Sequence, residues 1–325
     1  MWFCKDHFEV ENKQVLIVGA SQGVGADLAL QLYSRNSTVI LVARTEHKLK
    51  YQIERIQNTA KNSQGILKYL VCDAADYKSC VSMWNEIYDT HKLDPDIIFC
   101  CAGSSIPKLF GELGENDLNG GISVNYMTAL NIAHTGFKSV LEKIKDSQPK
   151  KRHIIFFSSV VSFFPFIGYA QYAPMKSAIQ TLSTILRQEL RPFNYRISCI
   201  FAGNFSSEGF EEEQKTKPEV TKKIEGPSNP ISGEACATII INELKKGYDT
   251  ITTDTIGWVL SCSVLGILPR KWSFFQIIIS FIFLIVAPIV NVFMNKDIDY
   301  FFENERRTRT LSDRPNDYQP TKKDD

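Results

Sequence analysis

Tyr172 and Lys176, in the run Tyr-Ala-Pro-Met-Lys, form the pair in this chain best suited to moving a proton. On a helix, a four-residue step places phenol and ammonium on one face, one turn apart. A phenol with an ordinary pKa of about 10 neither gives nor takes a proton readily near neutrality. A neighbouring cation stabilises its anion and brings the pKa toward the working range. Ser159, thirteen residues before Tyr172, follows the apolar run Ile154–Phe157 and can hydrogen-bond a substrate oxygen; Ser158 and Ser162 are the alternatives. A Tyr-x-x-x-Lys spacing alone recurs by chance. The weight lies in the order: a glycine-rich loop, Gly19-Ala20-Ser21-Gln22-Gly23-Val24-Gly25, then the serine, then the pair.

Such groups need a frame, and residues 13–250 supply an alternation of short β-branched runs with longer amphipathic ones. That is the pattern of an α/β, Rossmann-like, doubly wound parallel sheet covered by helices. Strands are expected at Gln14–Val18, Thr38–Ala43, Leu67–Cys72, Asp96–Cys100, His153–Phe157 and Arg196–Phe201. Helices are expected at Gly23–Arg35, Thr45–Lys61, Tyr77–His91, Gly121–Lys145 and Tyr172–Leu190. A further helix starts after Ser232 as N-cap and ends at Gly247. The polar segment Asn204–Asn229 reads as a mobile substrate loop after the sixth strand. Its run Glu211–Glu213 is either a solvated acidic face or an attraction for a substrate amine.

Gly19, Gly23 and Gly25, with Ser21 and Gln22 between them, follow a strand and open a helix, the setting of a dinucleotide-binding turn. Glycine lets the backbone approach a pyrophosphate at the positive end of the helix. The second strand, Val39–Ala43, ends without the carboxylate that holds a ribose 2′-hydroxyl, and Arg44 follows. A guanidinium suits a 2′-phosphate, so the expected cofactor is NADPH and the expected direction is reduction, with Lys48 as a second reader of that phosphate. Asp73, after the third strand, can accept from an adenine amine. Ala102 and Gly103, after the fourth, let a ribose lie on the backbone. Both segments read equally well as plain strand ends.

The 325 residues carry a net charge of +1, which implies no broad attraction to nucleic acid. Eight scattered cysteines and five scattered histidines make no metal-ligand spacing and fit a reducing compartment. The start, Met1–Asp6, has no apolar core segment and predicts no secretory signal, hence a cytosolic catalytic part.

Together, the glycine turn, Cys-Ala-Gly after the fourth strand, Asn125, Ser159 and Tyr172-x-x-x-Lys176 resemble the short-chain dehydrogenase/reductases over about residues 10–250. Within that group the chain is similar to the fungal 3-ketodihydrosphingosine (3-ketosphinganine) reductases, through Val39–Leu49, Ser123–Tyr126, Gly209–Glu219 and the hydrophobic tail. The resemblance implies that Tyr172 gives a proton to a ketone oxygen and that Lys176 binds the nicotinamide ribose and lowers the phenol's pKa. It also implies that Ser159 holds the carbonyl, that Asn125 supports a water relay to Lys176, and that copies pair through the helices carrying Asn125 and Tyr172. Val18, Cys100-Cys101, Ala202-Gly203 and Pro174 depart from the family pattern, and none removes a catalytic group. Another lipid-ketone reductase (steroid, retinoid or 3-ketoacyl) and an inactive NADP-binding scaffold are the competing readings.

Beyond residue 250 come two apolar stretches, Ile256–Leu268 and Ser273–Met294. The second is long enough to cross a bilayer, at about 33 Å as a helix. A membrane anchor over 256–294 and a charged, structureless tail over 295–325 are the expectation. The closing Lys322-Lys323-Asp324-Asp325 resembles a dilysine retrieval signal read from the cytosol, pointing to the endoplasmic reticulum membrane. With both ends cytosolic, the two stretches would form a shallow hairpin that turns near Arg270-Lys271 and breaks at Pro288.

Overall fold

In the computed structural model, residues 6–143, 150–264 and 272–312 are described. Seven strands form one parallel sheet: β1 Gln14–Val18, β2 Thr38–Ala43, β3 Leu67–Val71, β4 Ile97–Cys100, β5 Arg152–Ser159, β6 Tyr195–Ala202 and β7 Thr250–Thr252. Their spatial order is β3-β2-β1-β4-β5-β6-β7, so the strand order reverses between β1 and β4. Ligands of such sheets bind outside the carboxyl ends of the strands at that reversal. The helices are α1 Gly23–Tyr33, α2 Glu46–Thr59, α3 Tyr77–Asn85, α4 Glu115–Ile122, α5 Thr128–Lys143, α6 Ala173–Glu189, α7 Glu208–Thr216, α8 Glu219–Glu225, α9 Gly233–Lys245, α10 Thr255–Ser261 and α11 Ser273–Ser312.

The two-residue period of the strands distributes the core. Val15 and Ile17 face Leu28, Leu32 and Ile240, whereas Leu16 and Val18 face the layer of Trp84, Ile132 and Ile179. Phe99, Phe156 and Phe201 are fully buried in the central strands. Burying a sheet on both faces is what its near-continuous apolar runs require.

All six expected strands form, with shifts of a residue or two at their ends. β7 is an addition: three residues, too short for a period-two signal, pairing with Cys199–Phe201. The expected helix at Gly121 starts six residues earlier, at Glu115, and runs to Lys143 through a π turn at Ser123–Met127. Its expected last residue, Lys145, lies outside the described residues. Ser232 caps α9, its hydroxyl accepting from Ala235 N, and Gly247 takes the positive φ that stops it.

Two expectations for the second half are revised. Asn204–Asn229, expected as a mobile substrate loop, holds α7 and α8, with Ser207 capping α7. The helix α11 continues through Pro288 without a break and carries the charged residues from Lys296 to Ser312, expected to be structureless. The apolar stretch that begins at Ile256 opens with α10, in which Ile256 and Val259 are exposed. α10 packs onto the sheet layer, with Gly257, Ser261 and Cys262 buried. The proposed turn at Arg270-Lys271 and the terminal lysines lie outside the described residues.

Candidate active site

Strand β5 ends at Ser159 and α6 begins after Tyr172, so the two meet at the carboxyl edge of the sheet. Pro174 occupies the second helical position, where no backbone donor is needed. Lys176, one turn into α6, is 3% exposed. Its Nζ donates to Phe157 O at 2.9 Å and stands 5.4 Å from the centroid of the Tyr172 ring. Burial lowers the Lys176 pKa to about 8. Burial also raises that of Tyr172, with Glu213 adding to the rise and a hydrogen bond from Ser159 opposing it. Ser158 is more firmly engaged than Ser159, its hydroxyl 2.7 Å from Ser162 Oγ and donating to Lys176 O at 2.8 Å. The bonds of Ser159 Oγ to Ala202 O and from Val161 N are longer, at 3.4 Å each. The Ser159 hydroxyl lines the cleft.

Asn125 sits in the π turn between α4 and α5 and is 1% exposed. Its side chain makes two bonds to one backbone unit, Oδ1 accepting from Ser104 N and Nδ2 donating to Ser104 O. The loop after β4 is thereby clamped beside Lys176. Gly103 lies in that loop: a Cβ there would stand 2.9 Å from Lys176 Nζ and 3.1 Å from Asn125 Oδ1. A π turn inserts one residue and re-aims the following side chains, a common device at functional sites.

At the reversal point, the glycine turn lies directly against the loop after β4. Gly19 has φ +86°, and a Cβ there would come within 2.6 Å of Ala102 N. Ser21, Gln22 and Gly23 continue the turn into α1, where Gly25 is buried. Arg44 projects from the end of β2, exposed, and among the described residues makes no hydrogen bond or ion pair. Lys48 is already engaged, donating to Gln22 Oε1 at 2.8 Å and pairing with Glu208 Oε2 at 2.7 Å. Asp73 is exposed beyond β3, one carboxylate oxygen accepting from Ala75 N. Small residues where a diphosphate must approach, a helix amino terminus and an unpartnered guanidinium are the features a phosphorylated dinucleotide needs.

Between these groups and the second half of the chain lies a cleft of about 500 Å³. Its far wall takes Glu213 from α7 and Glu225 from α8, within the expected substrate loop, and, unforeseen from sequence, Tyr169 from the loop before α6 and Ile256 and Leu260 from α10. Within that loop the acidic run Glu211–Glu213 was a further signal: Glu211 and Glu212 are exposed and Glu213 turns into the cleft.

Residues 13–218 match the family described as short chain dehydrogenase. The chain belongs to this family. Among curated relatives of this short-chain dehydrogenase, a 3-ketodihydrosphingosine reductase of Debaryomyces hansenii is 61% identical over 316 residues, covering 96% of each chain. A 3-ketodihydrosphingosine reductase of Yarrowia lipolytica is 38% identical over 297 residues, covering 90% of this chain and 79% of its own. A short-chain dehydrogenase from Sphingobium yanoikuyae, solved in complex with NADPH, superposes with a TM-score of 0.63 at 18% identity. It covers 75% of this chain and 88% of that one, a likeness of fold.

α11 is long and apolar enough to cross a membrane over Phe274–Asn304. Its polar side faces the protein: Gln276 Nε2 donates to Ser261 Oγ at 3.5 Å, and Ser280 Oγ donates to Cys262 O. Phe274, Phe281, Leu284, Ile285 and Phe293 point outward and are more than half exposed. Farther along, Asp297 pairs with Lys223 of α8 at 2.7 Å.

Proposed function

We propose that this chain is a membrane-bound NADPH-dependent reductase that converts 3-ketodihydrosphingosine (3-ketosphinganine) to dihydrosphingosine. The observation that carries this reading is the 61% identity, over nearly the whole of both chains, to a 3-ketodihydrosphingosine reductase. The convergence of Ser159, Tyr172 and Lys176 at the mouth of the cleft supports it.

In this reading Arg44 takes the 2′-phosphate, the glycine turn and the start of α1 take the diphosphate, and Gly103 leaves room for the nicotinamide ribose beside Lys176. Asp73 borders the adenine pocket, and Lys48 reaches the phosphate by releasing Glu208. NADPH held this way supplies the hydrogen and electron pair that the carbonyl carbon receives. Ser159 donates to the carbonyl oxygen and keeps it within reach of Tyr172. Tyr172 gives that oxygen its phenolic proton as the alkoxide forms. Lys176 is the nearby cation that stabilises the phenolate left behind. Asn125 fixes the loop against which Lys176 packs and supports a water relay that returns a proton to it.

The same proposal divides the chain into a reductase unit over residues 1–250, with 204–229 covering the substrate, an anchor over 256–294 and a charged cytosolic tail. It places the enzyme on the cytosolic face of the endoplasmic reticulum membrane, with copies pairing through α5 and α6, where Leu141 and Ile185 are exposed. Contacts of α11 with the protein at Ser280 and again at Asp297 favour a helix lying against the bilayer surface rather than spanning it. Protease protection of a C-terminal tag in sealed microsomes tests this, since a protected tag means a full crossing. NADPH oxidation with 3-ketosphinganine, compared with steroid and 3-ketoacyl substrates, tests the activity. Selectivity for a steroid or acyl ketone would refute it.

A further inference from the structure

One wall of the cleft holds a charged cluster that proton and hydride transfer do not require. Lys217, between α7 and α8, has a side chain only 1% exposed, with its Nζ 3.0 Å from Glu213 Oε1 and 2.7 Å from Glu225 Oε2. The Tyr169 hydroxyl donates to Glu213 Oε1 at 2.8 Å and approaches Glu225 Oε2 at 3.4 Å. Glu225 Oε1 accepts from Asn204 Nδ2 at 2.8 Å, so both of its oxygens are engaged. Glu213 directs both contacts to Oε1, and among the described residues its Oε2 takes no hydrogen bond.

Two carboxylates against one ammonium leave this wall with one negative charge in excess. Its burial is a cost that an incoming cation removes. The cluster is close to the chemistry: the Tyr169 ring lies 6.1 Å from that of Tyr172, and Glu213 lines the cleft together with Tyr172 and Ser159.

We propose that Glu213 receives the ammonium group of an amino-ketone substrate through Oε2, with Lys217 and Tyr169 fixing the carboxylate in place. The proposal rests on the reading of the chain as a 3-ketodihydrosphingosine reductase. In that substrate the amine is borne by the carbon next to the carbonyl. A ketone held between Ser159 and Tyr172 therefore presents its ammonium to the neighbouring wall. A neutral ketone leaves Glu213 Oε2 without the ionic partner that an amino ketone brings, so the cluster selects by charge. Burial is the main reason the Tyr172 phenol is a weak acid, and pairing offsets the smaller part of that rise that Glu213 adds.

The test uses the full-length enzyme in detergent micelles with two substrates, 3-ketosphinganine and the same chain lacking the amine, 1-hydroxyoctadecan-3-one. Glu213→Gln should lower kcat/KM for the amino ketone by about 10- to 100-fold, the range of a charge-assisted hydrogen bond, chiefly through KM. The loss on the des-amino ketone should stay below about 3-fold on the same scale. A wild type selective for the amino ketone, with equal losses on both substrates in Glu213→Gln, assigns Glu213 to lid support and overturns the proposal alone. A wild type that treats the two ketones equally overturns the amine site alone, whereas a wild type that reduces neither overturns the functional reading and the proposal with it. A variant-free measurement stands beside these. Octadecylamine should inhibit the wild type at least about 10-fold more strongly than octadecanol, and equal inhibition refutes the amine site.

Discussion

Replacing Lys176 by methionine should make the enzyme more stable and nearly inactive. The lysine is 3% exposed, and burial brings its pKa from 10.5 down to about 8. A fall of that size corresponds to about 3 kcal/mol by which protonation is harder in the folded chain than in the unfolded one. Methionine fills a similar volume without a charge, but it removes the bond to Phe157 O, a loss of about 1 kcal/mol. A net gain of about 1–2 kcal/mol remains at pH 7, or roughly 2–8 °C in melting temperature for a domain of this size. The direction with pH follows from the lowered pKa. Between about pH 8 and 10.5 the unfolded chain binds more protons than the folded one, so wild-type stability recovers as pH rises through that window. The penalty should fall to about 1 kcal/mol at pH 9.5, and the variant's advantage should vanish there. Thermal unfolding of both full-length proteins at pH 7 and pH 9.5 measures this, with turnover assayed in parallel. Activity should fall by about 10²-fold or more, because the cation that stabilises the phenolate is gone. A variant less stable than wild type at pH 7, or a difference that does not change with pH, would refute the reasoning.

Three further outcomes are expected. Tyr172→Phe should reduce turnover by about 10³-fold while NADPH binding, followed by fluorescence titration, changes less than about threefold, since only the proton donor is lost. Arg44→Ala combined with Ala43→Asp should reverse the preference from NADPH to NADH, read as the ratio of kcat/KM values; an unchanged ratio would move the 2′-phosphate to Lys48. Gly19→Ala should destabilise the fold by about 2 kcal/mol and abolish cofactor binding, because its φ of +86° and the 2.6 Å approach to Ala102 N leave no place for a methyl group. Unfolding and NADPH titration of that variant check both effects.

The central strands were legible in the chain because their signal is compositional: Val39–Ala43 and Ile154–Phe157 are apolar throughout, as a sheet buried on both faces demands. Tyr172, Lys176 and Ser159 were legible because a helical step and a strand end bring them together with little help from the rest of the molecule. Other parts depend on contacts between distant segments. α7 and α8 are highly charged and lack a strong apolar stripe. They are held by the local cap Ser207, by Lys217 between them and by Tyr169, which lies 44 residues from Glu213 and which no local window relates to them. The π turn that positions Asn125 is a one-residue insertion within a continuous helix, invisible to periodicity. Pro288 suggested a break, yet a proline removes only one backbone donor, and apolar helices tolerate it. The acidic run Glu211–Glu213 was visible as composition, but only the fold distinguishes the residue that turns inward.

The two attachments of α11, at Ser280 and at Asp297, are separated by about 25 Å of helix, at 1.5 Å per residue. In the proposed arrangement on the bilayer surface, a helix held to the same body at two points would place its outward side chains in one leaflet only. A helix so placed would be indifferent to bilayer thickness and responsive to how tightly headgroups are packed. Catalysis should therefore follow the curvature and lateral tension of the leaflet that holds the substrate, and α8, pinned at Lys223, would carry that mechanical state to the rim of the cleft.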